Sequence, residues 1–385
     1  MASIMWACWD GGGNLTPSLG IARELTDRGH DVHFFGRPDM IGRVEAAGLS
    51  ASALGEASTD LERYSFHPLA GVFGYTSSPS VGEELVGVVA TLAPDVVVID
   101  AMFSSALDVA PRFHRPTAVM LHTLFNSLWT MWQANFSMQS ESRVKAGFSG
   151  LPSLEVLWGE RDLLQVNALQ EFDGPPATAW EHVVHGAPVL SVEPRAVPVE
   201  LPWDVDDPTP LVLLSFSTVV EQRSQEMLQR ALEALAELPV YVVATTGGIV
   251  EPVELAAPAN AHVIAFADHD LLMDRASVVV GHGGHGTTMR ALRHGLPIVG
   301  IPAKGGDQAP ITEMLDRWKV GRALPGDASV KQIRSAAEEI LSDPTFRERA
   351  RVRSRALEDC NGAARAALDI LSRGSEGRCA TSRFE

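Results

Sequence analysis

The chain has 385 residues, a hydrophobic content of 45% and a formal net charge of -17. That length suits two domains of ordinary size, each large enough to bury a core of its own. The acidic excess argues against a nucleic acid or an anionic membrane as a partner, because both select a basic surface.

The cysteines and the N-terminal run exclude further classes. Cys8, Cys360 and Cys379 have no metal-like spacing and favour a reduced cytoplasmic setting over a disulfide framework. The N-terminal run is apolar but has no basic start, and Asp10 with the three glycines after it interrupts the run too early for a membrane span. We therefore expect a cytoplasmic protein without a metal site or membrane segment, and the sequence leaves a homodimer open.

The first half alternates apolar strand patterns with helical patterns, as in a doubly wound parallel sheet. Strands are predicted at 3–9, 31–35, 49–54, 96–99 and 117–121, and helices at 17–28, 38–47 and 104–113. The periodicity loosens between 125 and 172. Frequent prolines between 188 and 210 then exclude a helix and favour an extended linker.

The second half restarts the same alternation. Strands are predicted at 211–216, 240–245, 262–266, 277–280 and 297–301, and helices at 221–237, 308–317, 330–341, 345–359 and 362–371. The predicted fold class is therefore α/β with two Rossmann-like domains. The predicted boundaries are 1–195 for the first domain, 196–210 for the linker, 211–360 for the second domain, 361–373 for a last helix and 374–385 for a disordered tail.

A glycine-rich turn follows the predicted strand 277–280. Its glycines let the backbone approach a ligand, and Thr287 and Thr288 are predicted to start a helix whose free N–H groups attract an anion. His282 could add a donor to the same phosphate. The next strand brings Asp307 and Gln308 to the carboxyl edge of the sheet, where ligands bind in such folds. A glycine-rich turn by itself is also explained by tight strand-to-helix packing.

The ordered combination of His282, Gly284, Thr287, the turn 295–297 and the pair Asp307 and Gln308 is more specific. It resembles the donor-site signature of the GT-B nucleotide-sugar glycosyltransferases, in particular the bacterial enzymes that glycosylate macrolides, polyketides and other natural products. The resemblance implies two domains facing each other across a cleft and a last helix that crosses back to the first domain. It also implies that the first domain binds the acceptor, that the second binds the nucleotide sugar, and that inverting transfer needs no metal or other cofactor.

The resemblance assigns roles on the donor side. Ser217 and Thr218 would reach the diphosphate, Phe266 would stack on the base beside Ala267, and Asp307 and Gln308 would hold sugar hydroxyls. Helix capping is the alternative for the hydroxyl pair, and a place in the sheet core is the alternative for Phe266. The expected donor site comprises His282, Gly283, Gly284, Gly286, Thr287, Ser217, Thr218, Phe266, Ala267, Asp307 and Gln308.

One position bears on the nucleotide. Relatives that use UDP-sugars commonly place a glutamate in the motif helix to accept hydrogen bonds from both ribose hydroxyls, and Arg290 stands at that position. A guanidinium has no acceptor to offer. We therefore favour a dTDP-activated deoxysugar over a UDP-sugar.

The acceptor side lacks the expected base. Asn14 stands where most relatives carry a histidine that takes the acceptor proton, and a carboxamide can only orient a hydroxyl. Asp100, His122 and Asp10 follow predicted strands at the same sheet edge and are candidates for the base. The alternative for each is a hydrogen-bonded strand-end residue. An acidic phenol, or an aromatic carbon that forms a C-glycoside, would need no strong base.

The acceptor itself is expected to be flat and apolar. Phe125, Trp129 and Trp132 crowd together, and Tyr75 lies in a second candidate acceptor loop. Plain helix core is the alternative for the aromatic cluster.

The leading hypothesis is thus an inverting glycosyltransferase acting on a natural-product aglycone. A nucleotide-sugar 2-epimerase of the same fold and a non-catalytic partner of another transferase are the two alternatives, the second because of Asn14.

Overall fold

The computed structural model describes residues 1–55, 60–64, 70–190, 199–204, 206–216, 225–303, 307–358 and 361–381. The chain forms two compact units. The first comprises Met1–Glu193 with Asn361–Glu385, and the second comprises Pro194–Cys360. Each is described by itself below.

The first unit is built on a parallel sheet. Its strands are β1 Ser3–Cys8, β2 Asp31–Gly36, β3 Ser50–Ala53, β4 Val96–Asp100, β5 Thr117–Leu121, β6 Leu163–Val166 and β7 Val183–His185. They lie in the order β3-β2-β1-β4-β5-β6-β7, and each paired neighbour is parallel. The strand order reverses between β1 and β4, and in this type of sheet ligands bind outside the carboxyl ends of the strands at that reversal.

Helices connect these strands. They are α1 Leu15–Asp27, α2 Pro38–Ala46, α3 Ala70–Thr76, α4 Pro79–Leu92, α5 Ser104–Val109, α6 Trp129–Lys145, α7 Leu154–Gly159 and α8 Gln170–Asp173. The start of α4 follows from its sequence, since the Ser78 side chain accepts from the Val81 N–H and Pro79 occupies the first helical position. Ala93, in the left-handed conformation, ends it.

The second unit repeats the plan. Its strands are β8 Leu211–Ser215, β9 Tyr241–Thr245, β10 Ala261–Ile264, β11 Ala276–Gly281, β12 Ile298–Gly300 and β13 Gly321–Ala323, in the parallel order β10-β9-β8-β11-β12-β13. Its helices are α9 Gln225–Leu235, α10 His269–Arg275, α11 His285–Arg293, α12 Gln308–Trp318, α13 Val330–Ser342 and α14 Thr345–Glu358. Buried aliphatic side chains from both sheet and helices form a separate core here.

The last helix, α15 Gly362–Thr381, returns to the first unit, as predicted. It packs against α1, and its Ala366, Ala367 and Ile370 belong to the same core as Trp6 of β1. The predicted disordered tail begins too early, because α15 continues beyond residue 373 to Thr381. Adding residues to a helix that is already anchored is far easier than nucleating one.

Part of the predicted linker packs on the second unit. Trp203 stacks on Tyr241 with ring centroids 4.4 Å apart, and the Tyr241 hydroxyl donates to Asp207 over 2.8 Å. Residues 191–198 and 205 lie outside the described part of the chain. The described end of this segment is therefore held in place by aromatic stacking and a hydrogen bond.

Candidate functional site

The turn between β11 and α11 forms an open helix start. Gly283 has φ +77°, and a Cβ there would lie 2.3 Å from Thr312 Cγ2, so both the backbone and the packing require glycine. The helix begins at His285 with Gly284 as its N-cap, two residues before the predicted Thr287. Gly284, as the N-cap, has no side chain with which to satisfy the N–H groups of the first turn. N–H groups at such a helix start suit an anion.

His282 lies beside this helix start. Burial lowers its pKa to about 4, so the imidazole is neutral at pH 7. Its Nδ1 is buried and has no hydrogen-bond partner among the described residues. A Cβ on Gly284 would lie 2.5 Å from His282 Nε2, which places the ring directly over the N-cap. A hydrogen bond with the Ser215 backbone opposes this lowering, and a neutral imidazole has one donor and one acceptor nitrogen to share between that bond and a ligand.

Asp307 and Gln308 are close to the same turn. Asp307 is the N-cap of α12, and the Gln308 carbonyl oxygen would lie 3.2 Å from a Cβ on Gly283. The side chain of Gln308 is buried, and its Oε1 accepts from the Ala303 N–H over 2.8 Å. The side-chain oxygen of Gln308 is thus bonded to the backbone of the preceding loop. Asp307 is therefore the more accessible of the two predicted sugar-binding groups.

Phe266 follows β10 and is 53% exposed, so the alternative that placed it in the sheet core is wrong. A Cβ on Gly248 would lie 3.0 Å from its ring, and Gly248 has φ +75°. Ala267 comes next, and Asp268 caps α10 by accepting from the N–H groups of residues 270 and 271. An exposed ring at the carboxyl edge of a parallel sheet is free to stack on a planar ligand.

The sequence analysis did not identify His269 as a contact at the carboxyl edge of this sheet. His269 Nε2 lies 3.0 Å from Thr245 Oγ1, at the end of β9, and burial lowers the pKa of His269 to about 4. This contact fixes the start of α10 against the sheet. The signal available in the sequence is a histidine directly after the Asp268 cap, a position at which a side chain turns toward the neighbouring strand.

Arg290 is engaged within the protein. Its guanidinium lies 3.6 Å from the Asp270 carboxylate, and His294 bonds both Asp270 and Asp274, at 2.9 Å and 3.0 Å. The predicted donor residues Ser217 and Thr218 lie outside the described residues. Phe216, which immediately precedes them, is buried with its ring centroid 6.5 Å from that of His282.

In the first unit, Asp100 ends β4 and is buried. Its Oδ1 accepts from Trp9 Nε1 at 3.1 Å and from the Met102 N–H at 2.9 Å, and its Oδ2 accepts from Asn14 Nδ2 at 2.9 Å. The amide oxygen of Asn14 accepts from the Gly11 N–H. Asn14 therefore links the turn after β1 to Asp100, and three donors occupy the carboxylate.

Asp10 is equally engaged. Its Oδ2 lies 2.6 Å from Arg43 Nη1, and its Oδ1 accepts from the Gly12 N–H at 2.9 Å. His122, directly after β5, differs from both carboxylates. It is partly exposed, its Nδ1 has no partner in the described part of the chain, and its ring meets Trp132 edge-on with centroids 6.3 Å apart.

The predicted acceptor residues form a packed aromatic cluster. Phe125 contacts Trp129 and Trp158, with centroid distances of 5.5 Å and 6.2 Å, and Trp132 packs on Trp158 at 5.6 Å. Phe125, Trp132 and Tyr75 are all buried, so they expose almost no surface to a ligand. Core packing, the alternative that the sequence left open for the aromatic cluster, describes Phe125 and Trp132, whereas Trp129 is half-buried. Tyr75, predicted in a second acceptor loop, is instead a buried residue of α3.

A histidine–carboxylate pair braces the loop after β5, and the sequence analysis did not identify it. His185 Nε2 lies 2.7 Å from Asp173 Oδ2, and the same carboxylate accepts from the N–H groups of Phe125 and Ser127. His185 is the last residue of β7, which is the carboxyl-edge position that could have indicated it.

Among the described residues, no group of three or more histidine, cysteine, aspartate or glutamate side chains is placed to hold a metal ion. In the same part of the chain, every helix is too short or too polar to cross a membrane.

A family model, described as the C-terminal domain of erythromycin biosynthesis protein CIII-like proteins, matches residues 229–363. Among curated proteins, 4'-demethylrebeccamycin synthase of Lentzea aerocolonigenes is 25% identical over 90% of this chain and 93% of its own length.

Solved structures share the fold across the chain. The calicheamicin glycosyltransferase CalG4 matches with a TM-score of 0.74 and 23% identity, covering 97% of this chain and 98% of the other. The glycosyltransferase VinC, solved in complex with dTDP, matches with a TM-score of 0.73 and 18% identity, covering 97% of this chain and 99% of the other. The two parallel sheets and their helices thus have the GT-B fold.

Proposed function

We propose that this chain, a GT-B glycosyltransferase with an EryCIII-like C-terminal domain, transfers a sugar from a nucleotide diphosphate to a hydrophobic natural-product aglycone. The transfer inverts the configuration at the sugar carbon, proceeds in the cytoplasm and uses no metal ion. The observation that carries the proposal is the start of α11 at the glycine N-cap Gly284, with neutral His282 above it. Backbone N–H groups at a helix start suit a diphosphate that gains charge as it leaves.

The sugar and the base have candidate partners around this phosphate site. Asp307, beside the Gly283 turn, can accept hydrogen bonds from sugar hydroxyls. Phe266 offers an exposed ring for the base. Together they would hold the donor at its two ends while the helix start holds the middle.

For the nucleotide we favour dTDP over UDP. Arg290 offers no acceptor to a ribose diol, and its guanidinium is already paired with Asp270. A carrier without the 2′-hydroxyl loses nothing at this position. The dTDP complex of VinC is consistent with this choice. Calorimetry is expected to give a lower Kd for dTDP than for UDP, and equal or inverted affinities would remove the dTDP assignment.

The Arg290→Gln variant sharpens that comparison. The glutamine amide oxygen can accept a hydrogen bond, so the difference in affinity between dTDP and UDP should narrow. Arg293→Gln, at the exposed last residue of the same helix, is the control and should leave the difference unchanged.

The transfer itself is tested by mass spectrometry of products from a panel of dTDP- and UDP-sugars with aromatic polyketide and macrolide acceptors. Glycosylated acceptor is the expected product. Epimerised sugar from donor alone would indicate the epimerase instead. Donor binding without turnover for every pair would indicate the non-catalytic partner that Asn14 first suggested.

A further inference from the structure

We infer that His122 is the catalytic base of this transfer and that the nearby Asp100 carboxylate acts on it through its charge, so that the base has moved from the helix start at Asn14 to the end of β5. This inference rests on the proposed function. It concerns which group receives the acceptor proton, a role for which the sequence left three candidates open.

The contacts of Asp100 leave it no free oxygen for an acceptor. Both carboxylate oxygens receive hydrogen bonds, from Trp9, Asn14 and the Met102 N–H, and the side chain is buried. A base must reach the hydroxyl that it deprotonates, directly or through one water. All three partners donate, which is the arrangement that an ionised carboxylate requires.

Asp10 and Asn14 are unsuitable for different reasons. The Asp10 carboxylate is held by Arg43 at 2.6 Å and by the Gly12 N–H, so proton uptake would break an ion pair. The Asn14 amide has no basic nitrogen, and both of its polar atoms are already bonded within the protein.

His122 has the features that these residues lack. Its buried Nδ1 has no hydrogen-bond partner among the described residues, so no described group engages that nitrogen. A buried nitrogen left unpaired costs about 1–3 kcal/mol, a cost that a bound water or ligand removes when it completes the hydrogen bonding. The residue is also partly exposed, unlike Asp100.

Asp100 and His122 act on each other through space. Residue 122 directly follows β5, and Asp100 ends the neighbouring β4, where it pairs with Met120. Burial raises the pKa of Asp100, and attraction to His122 is the strongest influence that opposes this rise. The two side chains therefore interact electrostatically across adjacent strand ends. From α6, the uncharged Trp132 faces the ring.

In the transfer step, the proton and the leaving group each have a destination. The acceptor hydroxyl gives its proton to a ring nitrogen of His122 as its oxygen forms a bond to the sugar C1. The bond from C1 to the diphosphate oxygen breaks, and the electron pair leaves with the nucleoside diphosphate. The imidazolium then releases its proton to solvent, and Asp100 stays ionised throughout.

His185 is the other histidine at this sheet edge, and its ring is already committed. It lies 2.7 Å from Asp173, whose carboxylate also holds the backbone of Phe125 and Ser127. The pair therefore shapes the loop after β5, whereas the Nδ1 of His122 has no partner among the described residues.

The experiment compares His122→Gln, Asp100→Asn and a control, His33→Gln, using a donor and acceptor pair that the wild-type chain converts. His33 lies on β2 and bonds Ser50 and Ser52 on the neighbouring strand, away from the carboxyl edge. We expect His122→Gln to lower kcat at least about 100-fold, within the range typical of a lost general base. KM should change less than about threefold, and the acid limb of the kcat/KM profile should disappear, because no proton acceptor is left to titrate.

Near-UV circular dichroism and the urea midpoint of unfolding report whether each variant is folded, since all three substituted residues belong to the first unit, whereas affinity for dTDP reports on the second. Retention of kcat within threefold in His122→Gln would overturn the inference and leave the glycosyltransferase assignment intact. Loss of the acid limb in Asp100→Asn, but not in His122→Gln, would make Asp100 the base. A wild-type chain that converts no pair would remove the proposed function and this inference with it.

Discussion

At the residue scale, the left-handed backbone at Gly283 controls the shape of the phosphate turn. An alanine there would strain the backbone by about 1–2 kcal/mol and would bring its Cβ against Thr312 Cγ2. The turn or α12 must then shift, which moves the N–H groups of α11. We expect Gly283→Ala to weaken dTDP binding at least about tenfold by calorimetry and to lower the midpoint of thermal unfolding.

Gly286→Ala is the matched control. Gly286 is the second residue of α11, and nothing lies within 4 Å of a Cβ built on it. Alanine is favoured over glycine inside a helix by about 1 kcal/mol, so this variant should unfold at the same or a higher temperature. Equal destabilisation by both substitutions would contradict the special role of Gly283.

His294 makes the stability of the second unit depend on pH. Its hydrogen bond to Asp270 raises the pKa of His294 above its value in the unfolded chain. A group whose folded pKa is raised stabilises the fold fully below its unfolded pKa and loses that contribution as pH rises through the folded pKa. The pair should therefore stabilise the protein at pH 5.5 and contribute little at pH 9.

Urea denaturation of His294→Gln tests this sign. The gap in unfolding free energy between wild type and variant should be large at pH 5.5 and shrink toward pH 9. His262→Gln, on β10 of the same unit, is the control for the loss of an imidazole. A gap that grows with pH would show that the coupling has the opposite sign.

At the scale of elements, α15 stabilises a unit whose other residues come from the start of the chain. Ile370 is fully buried in the core of the first unit, whereas Leu368 on the same helix is 54% exposed. Removing a buried isoleucine side chain to alanine costs about 2–5 kcal/mol. We expect Ile370→Ala to lower the unfolding free energy by that amount and Leu368→Ala to change it by less than about 0.5 kcal/mol.

The elements also differ in how well their sequences identify them. The strand predicted at 117–121 coincides with β5, because a continuous apolar run is what a strand buried on both faces needs. By contrast, α6 was not predicted, because its buried face includes Gln139 and Arg143 beside Trp132 and Phe136. The Gln139 amide is buried by bonds to Ser104 and Ser77, and these contacts cannot be read from helical periodicity.

In the candidate site, the positions of the residues could likewise be predicted from the sequence, but their contacts could not. Asp100, His122 and Asp307 could be placed at sheet edges, because the carboxyl ends of parallel strands lie at the same edge of a sheet. Which of them is engaged could not be predicted, since the decisive contacts join distant positions, such as Trp9 with Asp100 and Arg43 with Asp10. Burial of Phe125 likewise depends on Trp158 and Trp180, from elements that the sequence did not reveal.

At the scale of the whole molecule, one of the two compact units is built from two separate stretches of the chain. The first unit is interrupted by the whole of the second and is completed only by α15. Where α15 begins, a Cβ on Gly362 would lie 2.4 Å from the Ala187 carbonyl oxygen, so the returning helix starts tightly against the end of the first segment. The second unit has its own buried core within one continuous stretch.

This arrangement predicts different behaviour of the two units when they are produced as fragments. A fragment of residues 199–358 should unfold cooperatively in urea and retain dTDP binding, because its core and phosphate turn are complete. A fragment of residues 1–190 lacks Ala366, Ala367 and Ile370 from its core and should unfold at a lower urea concentration or aggregate. Adding a peptide of residues 361–381 should raise its midpoint, and the same peptide with Ile370→Ala should raise it less. A midpoint that the wild-type peptide does not move would mean that α15 is dispensable for the first unit, contrary to its buried contacts with α1 and β4.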